Sequence, residues 1–165
     1  MDKIIEEANK VYGQYGSEDL DYIAGKLGAE IHETLNTDGL KEVYFPDLRA
    51  IVVKPDLPRH ERNYLLAHAL GHHLFHQQVS KGDQTGFHQE LACGNLKMGR
   101  LEASPTEREA DLFAAYLLVS EVKLRPMLQQ PWIKETSDPV LKLALEFQVP
   151  VELMMERLIF EGLRR

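Results

Sequence analysis

Apolar residues recur at helical spacing from the start of the chain, where Ile4, Ile5, Ala8, Val11 and Tyr12 mark one face of a helix expected to stop at Gly13. Ser17 is placed to cap a second helix carrying Leu20, Ile23, Ala24 and Leu27, closed by Gly28. From Ala29 to Val53 the period shortens to that of strands. Ala29 to Leu35 alternates, and Val43-Tyr44-Phe45 and Ile51-Val52-Val53 flank a turn at Pro46-Asp47, which reads as an antiparallel hairpin. Asp56 to Pro58 opens a long helix reaching about Gln78, with Leu65, Leu66, Leu70 and Leu74 as its buried stripe. Residues 79 to 104 lack periodicity, hold Gly82, Gly86, Gly94 and Gly99, and read as a mobile loop of the lid kind. A further helix runs from Pro105 to about Val119. After Ser120 the helical pattern is broken by Pro126 and Pro131, and two short helices follow, Pro139 to Phe147 and Val151 to Gly162. The fold class expected is α+β, a mostly helical single domain over 1–165 with a small antiparallel sheet. Residues 137–165 form a helix pair packed on it.

Composition narrows the function classes. The 165 residues suit one domain, and 44% hydrophobic residues suffice for a core. A net charge of −7 argues against direct nucleic-acid binding through phosphate neutralisation and favours protein or peptide partners. The single cysteine, Cys93, leaves no internal disulfide and fits a reducing cytosol. The N-terminus has no apolar secretory core, and no apolar run is long enough to span a bilayer, so a cytoplasmic protein is expected.

Chemistry concentrates between Tyr64 and His76. His68 and His72 stand at i and i+4, which on a helix sets their Cβ atoms about 6 Å apart on one face. That geometry suits two ligands of one zinc ion at about 2.0–2.1 Å. His72 and His76 form a second such pair, which spacing alone leaves open as a rival ligand set, and a metal-free helix with surface histidines is a third possibility. Gly71 removes a side chain where another element must come close. His73 reads as solvent-facing, and His88 and Cys93 as loop residues. Trp132 reads as a hydrophobic anchor.

A zinc site of catalytic type needs a third protein ligand and keeps a fourth position for water. Glu107 and Asp111 are i and i+4 in Ser104-Pro105-Thr106-Glu107-Arg108-Glu109-Ala110-Asp111. Glu107 is suited to bind the metal, in preference to Glu109, while Asp111 would accept a hydrogen bond from a ligand histidine and fix its tautomer. Ser104 to Glu107 is equally a capping box with Pro105 at the first helical position. Tyr116 is placed either to assist an oxyanion or, among its leucines, to fill core.

Together these segments resemble the ImmA/IrrE family of gluzincin-type metallopeptidases, which have a zincin-like fold built around an HExxH-type active-site helix. The likeness is carried by Ala67-His68-Ala69-Leu70-Gly71-His72, by His76 four residues on, and by Glu107-Arg108-Glu109-Ala110-Asp111-Leu112-Phe113-Ala114-Ala115-Tyr116-Leu117-Leu118. Tyr22 to Gly28 resembles the family's N-terminal helix, and Leu143 to Glu152 with Arg157, Leu158, Gly162 and Leu163 resembles its C-terminal pair. The resemblance implies zinc on His68, His72 and Glu107. It also implies a cytosolic setting in bacteria or their mobile elements, and limited proteolysis of repressor-type regulators. The family's C-terminal pair looks like a helix-turn-helix, but Glu152, Glu156 and Glu161 make the last helix here unsuited to DNA.

Two positions depart from the family pattern. Ser120 stands where a proline usually follows the paired leucines. More consequentially, Ala69 occupies the place of the glutamate that takes a proton from water and passes it to the leaving amine. Losing such a group typically costs about 10²–10⁴ in rate, and the helix neighbours Leu70 and His73 offer no replacement. The chain is therefore expected either to be a zinc endopeptidase scaffold nearly inactive as written, or a non-catalytic zinc-binding module that holds a transcription regulator without cutting it.

Overall fold

The computed structural model describes residues 2–35, 41–77 and 104–163. Its elements in order are α1 (Asp2–Tyr15), α2 (Leu20–Leu27), β1 (Glu30–Glu33), β2 (Glu42–Phe45), β3 (Ala50–Val53), α3 (Arg59–Phe75), α4 (Pro105–Leu118), α5 (Glu121–Leu128), α6 (Pro131–Lys134), α7 (Pro139–Phe147) and α8 (Val151–Leu163). The architecture is α+β and mostly helical, as the periodicity indicates. The loop read over 79–104 falls, apart from Ser104, outside the described residues, as do His88 and Cys93.

Several local signals act one step away from where the sequence pattern put them. Helix α1 continues through Gly13 and stops before Gly16, whose φ of 77° is the left-handed conformation that ends helices cheaply only in glycine. Helix α2 is capped by Asp19, not Ser17; the Asp19 carboxylate accepts from the Tyr22 amide at 2.9 Å. Its other end is closed by Gly28 at φ 82°, as expected. Pro126 lies inside α5 instead of breaking it, at the cost of one intrahelical hydrogen bond. Trp132 is 39% exposed, with the rest of its surface covered.

The sheet is mixed. Its strand order is β1-β3-β2, with β2 antiparallel to β3 (Tyr44 opposite Ile51) as the hairpin pattern predicts. Strand β1, however, pairs with β3 in parallel (Glu30 opposite Ala50), so the wholly antiparallel sheet expected from sequence is corrected. The reason is topological: β1 and β3 are separated by β2, and the chain must return before β3 can lie alongside β1.

Helix α3 runs across this sheet and packs most extensively on α4. Three ties set its position against the strands. Lys41 at the entry to β2 pairs with Glu61 in the first turn of α3 at 2.6 Å. Arg62 reaches Asp21 at 2.8 Å and Glu33 at 3.1 Å. Near the far end, the Tyr44 hydroxyl of β2 meets His73 Nδ1 at 2.8 Å. Helix α8 is fixed by Arg157, fully buried, which donates to the Val119 carbonyl at 3.0 Å and lies 3.9 Å over the Tyr116 ring. Among the described residues no helix is long and apolar enough to cross a membrane.

Helix α3 lies tight against α4 at Gly71, where a Cβ would meet the Ala110 Cα at 2.9 Å and its carbonyl oxygen at 3.2 Å. These are backbone atoms and cannot swing aside. Gly71→Ala should therefore lower stability by about 1–3 kcal/mol despite alanine's helix preference of roughly 1 kcal/mol. Thermal unfolding of the metal-free variant measures this, and unchanged stability would show that α4 can retreat freely.

Candidate metal centre

Every residue of α3 from Tyr64 to His73 is buried, so this helix has no solvent face over that span. Four imidazoles are buried with it: His68, His72 and His73 at 1% exposure or less, and His76 at 6%. These four are not surface groups, and the solvent-facing position expected for His73 is overturned. Buried polar rings must be hydrogen-bonded, and each of these is. His73 Nε2–H donates to the Leu27 carbonyl at 2.9 Å, which leaves Nδ1 to accept from Tyr44.

The other three imidazoles form a directed chain. His68 Nδ1–H donates to Asp111 Oδ1 at 2.8 Å, and the same oxygen accepts from the Tyr64 hydroxyl at 2.7 Å. His72 Nδ1 lies 3.1 Å from His76 Nδ1, and His76 Nε2 lies 2.9 Å from Glu109 Oε2. A carboxylate only accepts, so His76 carries its proton on Nε2 and accepts at Nδ1 from His72. Both His68 and His72 therefore spend their Nδ1 protons outward. Their Nε2 atoms face one another at 2.9 Å.

Glu107 completes the convergence. Its two oxygens lie 3.3 Å from His68 Nε2 and 3.2 Å from His72 Nε2, and the ligand atoms of the three residues all fall within 4.8 Å of one another. Helix α4 presents this carboxylate because Ser104 caps the Glu107 amide at 3.2 Å with Pro105 behind it. Half of the capping box is formed, and the glutamate side chain is released from it toward the histidines. Two imidazoles and a carboxylate aimed at one point could hold a cation between them. The donor set, two neutral imidazoles and one carboxylate, is one that zinc accepts.

Electrostatics follow from this packing. Burial alone would push His68 down, but the Asp111 and Glu107 carboxylates outweigh it and raise its pKa to about 10. His72 is lowered, first by burial and further by its two histidine neighbours, although Glu107 opposes this. Burial alone would raise Glu107, yet the two imidazoles hold it well below the usual carboxylate range. In the metal-free chain a proton on His68 thus supplies the missing positive charge.

The remaining sequence candidates are placed plainly. Glu109 serves His76 and not the convergent group, and His76 turns its free nitrogen to Glu109, so the rival pair of His72 and His76 is not assembled. Ala69 is fully buried in the core, as is Tyr116 beneath Arg157. One residue escaped the sequence reading: Glu42 on β2 is fully buried, and burial raises its carboxyl to about 8, with His68 opposing and Glu107 adding to the rise. A glutamate beginning an otherwise apolar strand was its only local sign.

Asp111→Asn should weaken zinc binding about 10–100-fold by loosening His68, measured by competition with a chromophoric chelator. An unaltered affinity would show that Tyr64 and helix packing suffice. Glu42 makes a second expectation for the metal-free chain. Its folded carboxyl keeps the proton to about 8, whereas an unfolded one releases it near 4.5. The unfolded state binds fewer protons in that window, so stability falls as pH rises through it. Denaturant titrations should find Glu42→Gln level with the parent near pH 4 and more stable by a few kcal/mol near pH 8, at about 1.4 kcal/mol per unit. Parallel curves would contradict the burial effect.

A family model, Peptidase_M78, described as the IrrE N-terminal-like domain, matches residues 24–158. The span begins in α2, takes in the sheet and both helices of the candidate centre, and ends in α8. No curated protein and no solved structure matches the chain.

Proposed function

The chain belongs to the peptidase family of the IrrE N-terminal-like domain, and on that premise we propose that it is a zinc-dependent endopeptidase acting on a protein of the repressor-regulator type in the cytoplasm. The observation that supports it most is the meeting of His68, His72 and Glu107 with both imidazole protons already committed elsewhere. Those three residues would hold the zinc. When bound, the ion would polarise a substrate carbonyl and bring the acidity of water toward neutrality, to a pKa of about 7.

The rest of the task falls to the chain's own groups. Asp111, with Tyr64 on the same oxygen, orients His68; His76 and Glu109 orient His72. Leu65, Leu66 and Leu70 of the same helix are buried in the hydrophobic core. Position 69 contributes a methyl group and can carry no proton. That last point favours a second reading, a zinc-holding module that binds a regulator without cutting it.

The first measurement is zinc content after dialysis, with His68→Ala in parallel. About one ion per chain, lost in the variant, is expected for a three-ligand site. A parent chain that stays empty after zinc is added back would sink both readings. Uptake of zinc and capture of a regulator that remains whole would favour the second.

A further inference from the structure

The proton carrier absent from α3 has a counterpart on the neighbouring strand. Two contacts bracket Glu42: Lys41, just before it, holds Glu61 at the start of α3, and Tyr44, two residues after it, holds His73 twelve residues further along that helix. Strand β2 therefore runs alongside α3 in the same sense. Side chains two apart on a strand share a face, so Glu42 faces α3 with Tyr44. Residues four apart on a helix share a face too, so the surface that carries His73 carries Ala69 one turn earlier. Two strand residues back from Tyr44 span about 6.6 Å, about the rise of four helix residues, which brings Glu42 level with the turn of Ala69 and His68.

Two further observations agree. The Glu42 carboxyl is fully buried, and among the described elements β2 packs chiefly on α3 and β3. His68 and Glu107 both act on the charge of Glu42, with opposite signs: His68 favours the carboxylate and Glu107 opposes it. A glutamate at position 69 and a glutamate at position 42 would thus contend for one space, and alanine at 69 leaves it to Glu42.

We propose that Glu42 carries the proton in this site, delivering from β2 the carboxylate that other members of the family place on the histidine helix. The inference rests on the zinc-peptidase reading and completes it. In hydrolysis, a bond forms between the water oxygen and the carbonyl carbon, and the carbon–nitrogen bond breaks. Glu42 takes one proton from the water and returns it to the departing nitrogen, so the carboxylate ends as it began.

The test compares the zinc-loaded full chain with Glu42→Gln, Glu42→Asp, Ala69→Glu and the Ala69→Glu/Glu42→Gln pair, on a quenched-fluorescent random peptide library. Glu42→Gln should keep its zinc and its fold yet lose at least about 100-fold in cutting. Glu42→Asp should retain part of the rate, and the double variant should regain it from position 69. Undiminished cutting by Glu42→Gln overturns the proposal, as does a parent that cannot cut beside an Ala69→Glu variant that can. Loss of zinc in Glu42→Gln would make Glu42 part of the metal's support and also overturn it. A parent that binds no zinc removes the underlying reading and this one with it.

If no form cuts the library, cobalt in place of zinc decides, without substrate. The pH midpoint of the cobalt absorption should move by about one unit or more in Glu42→Gln, as expected for removing a nearby charge. An unmoved midpoint overturns the proposal.

Discussion

The site depends on how closely two helices approach. Gly71 lets the backbone of α4 lie against α3 with no side chain between them, at a separation where a Cβ would stand 2.9 Å from the Ala110 Cα. Glu107 lies one turn before Ala110 on α4, so the contact at Gly71 falls beside the turn that presents its carboxylate to the two imidazoles. The two helices that carry His68, His72 and Glu107 thus leave no room for a methyl group at Gly71. The Ser104 cap and Pro105 then fix where α4 begins, and so which of its turns faces the histidines.

Proximity alone would not order the site. Burying four imidazoles on one helix obliges each to find a partner, and the partners found are directional. Asp111 and Glu109 only accept, which forces the protons of His68 and, through His76, of His72 away from the centre. Backbone and phenol do the same for His73, which serves to clamp β2 and the end of α2 to α3. The polar groups of α3 are thus divided between a centre and the scaffold that steadies it, although all lie on one buried helix.

This division explains what could be read from the sequence. Helix starts and stops were legible because Gly28, Pro105, Pro139 and the apolar spacing act locally. The pairing of His68 with His72 and the preference for Glu107 were legible because each is an i and i+4 relation on one helix. The parallel partner of β1 was not, since alternation reveals a strand's faces and says nothing of its neighbour. His73 was misplaced because an evenly buried helix has no polar stripe against which to recognise an exposed position. Glu42 was overlooked for a related reason: its burial is imposed by a helix that starts seventeen residues later. Asp19 and Gly16 took roles assigned to Ser17 and Gly13, each within a few residues, where competing signals are close in strength.

The imidazolium of His68 also makes acid a rival of the metal. Nε2 cannot hold a proton and a cation together, so each ion that enters must evict one proton to the solvent. While that proton is held, every unit of rising pH would favour loading by roughly 1.4 kcal/mol. Occupancy would then be a property of the surroundings as much as of the fold: a chain loaded in alkaline buffer would empty as the medium turned acid, with every ligand still in place.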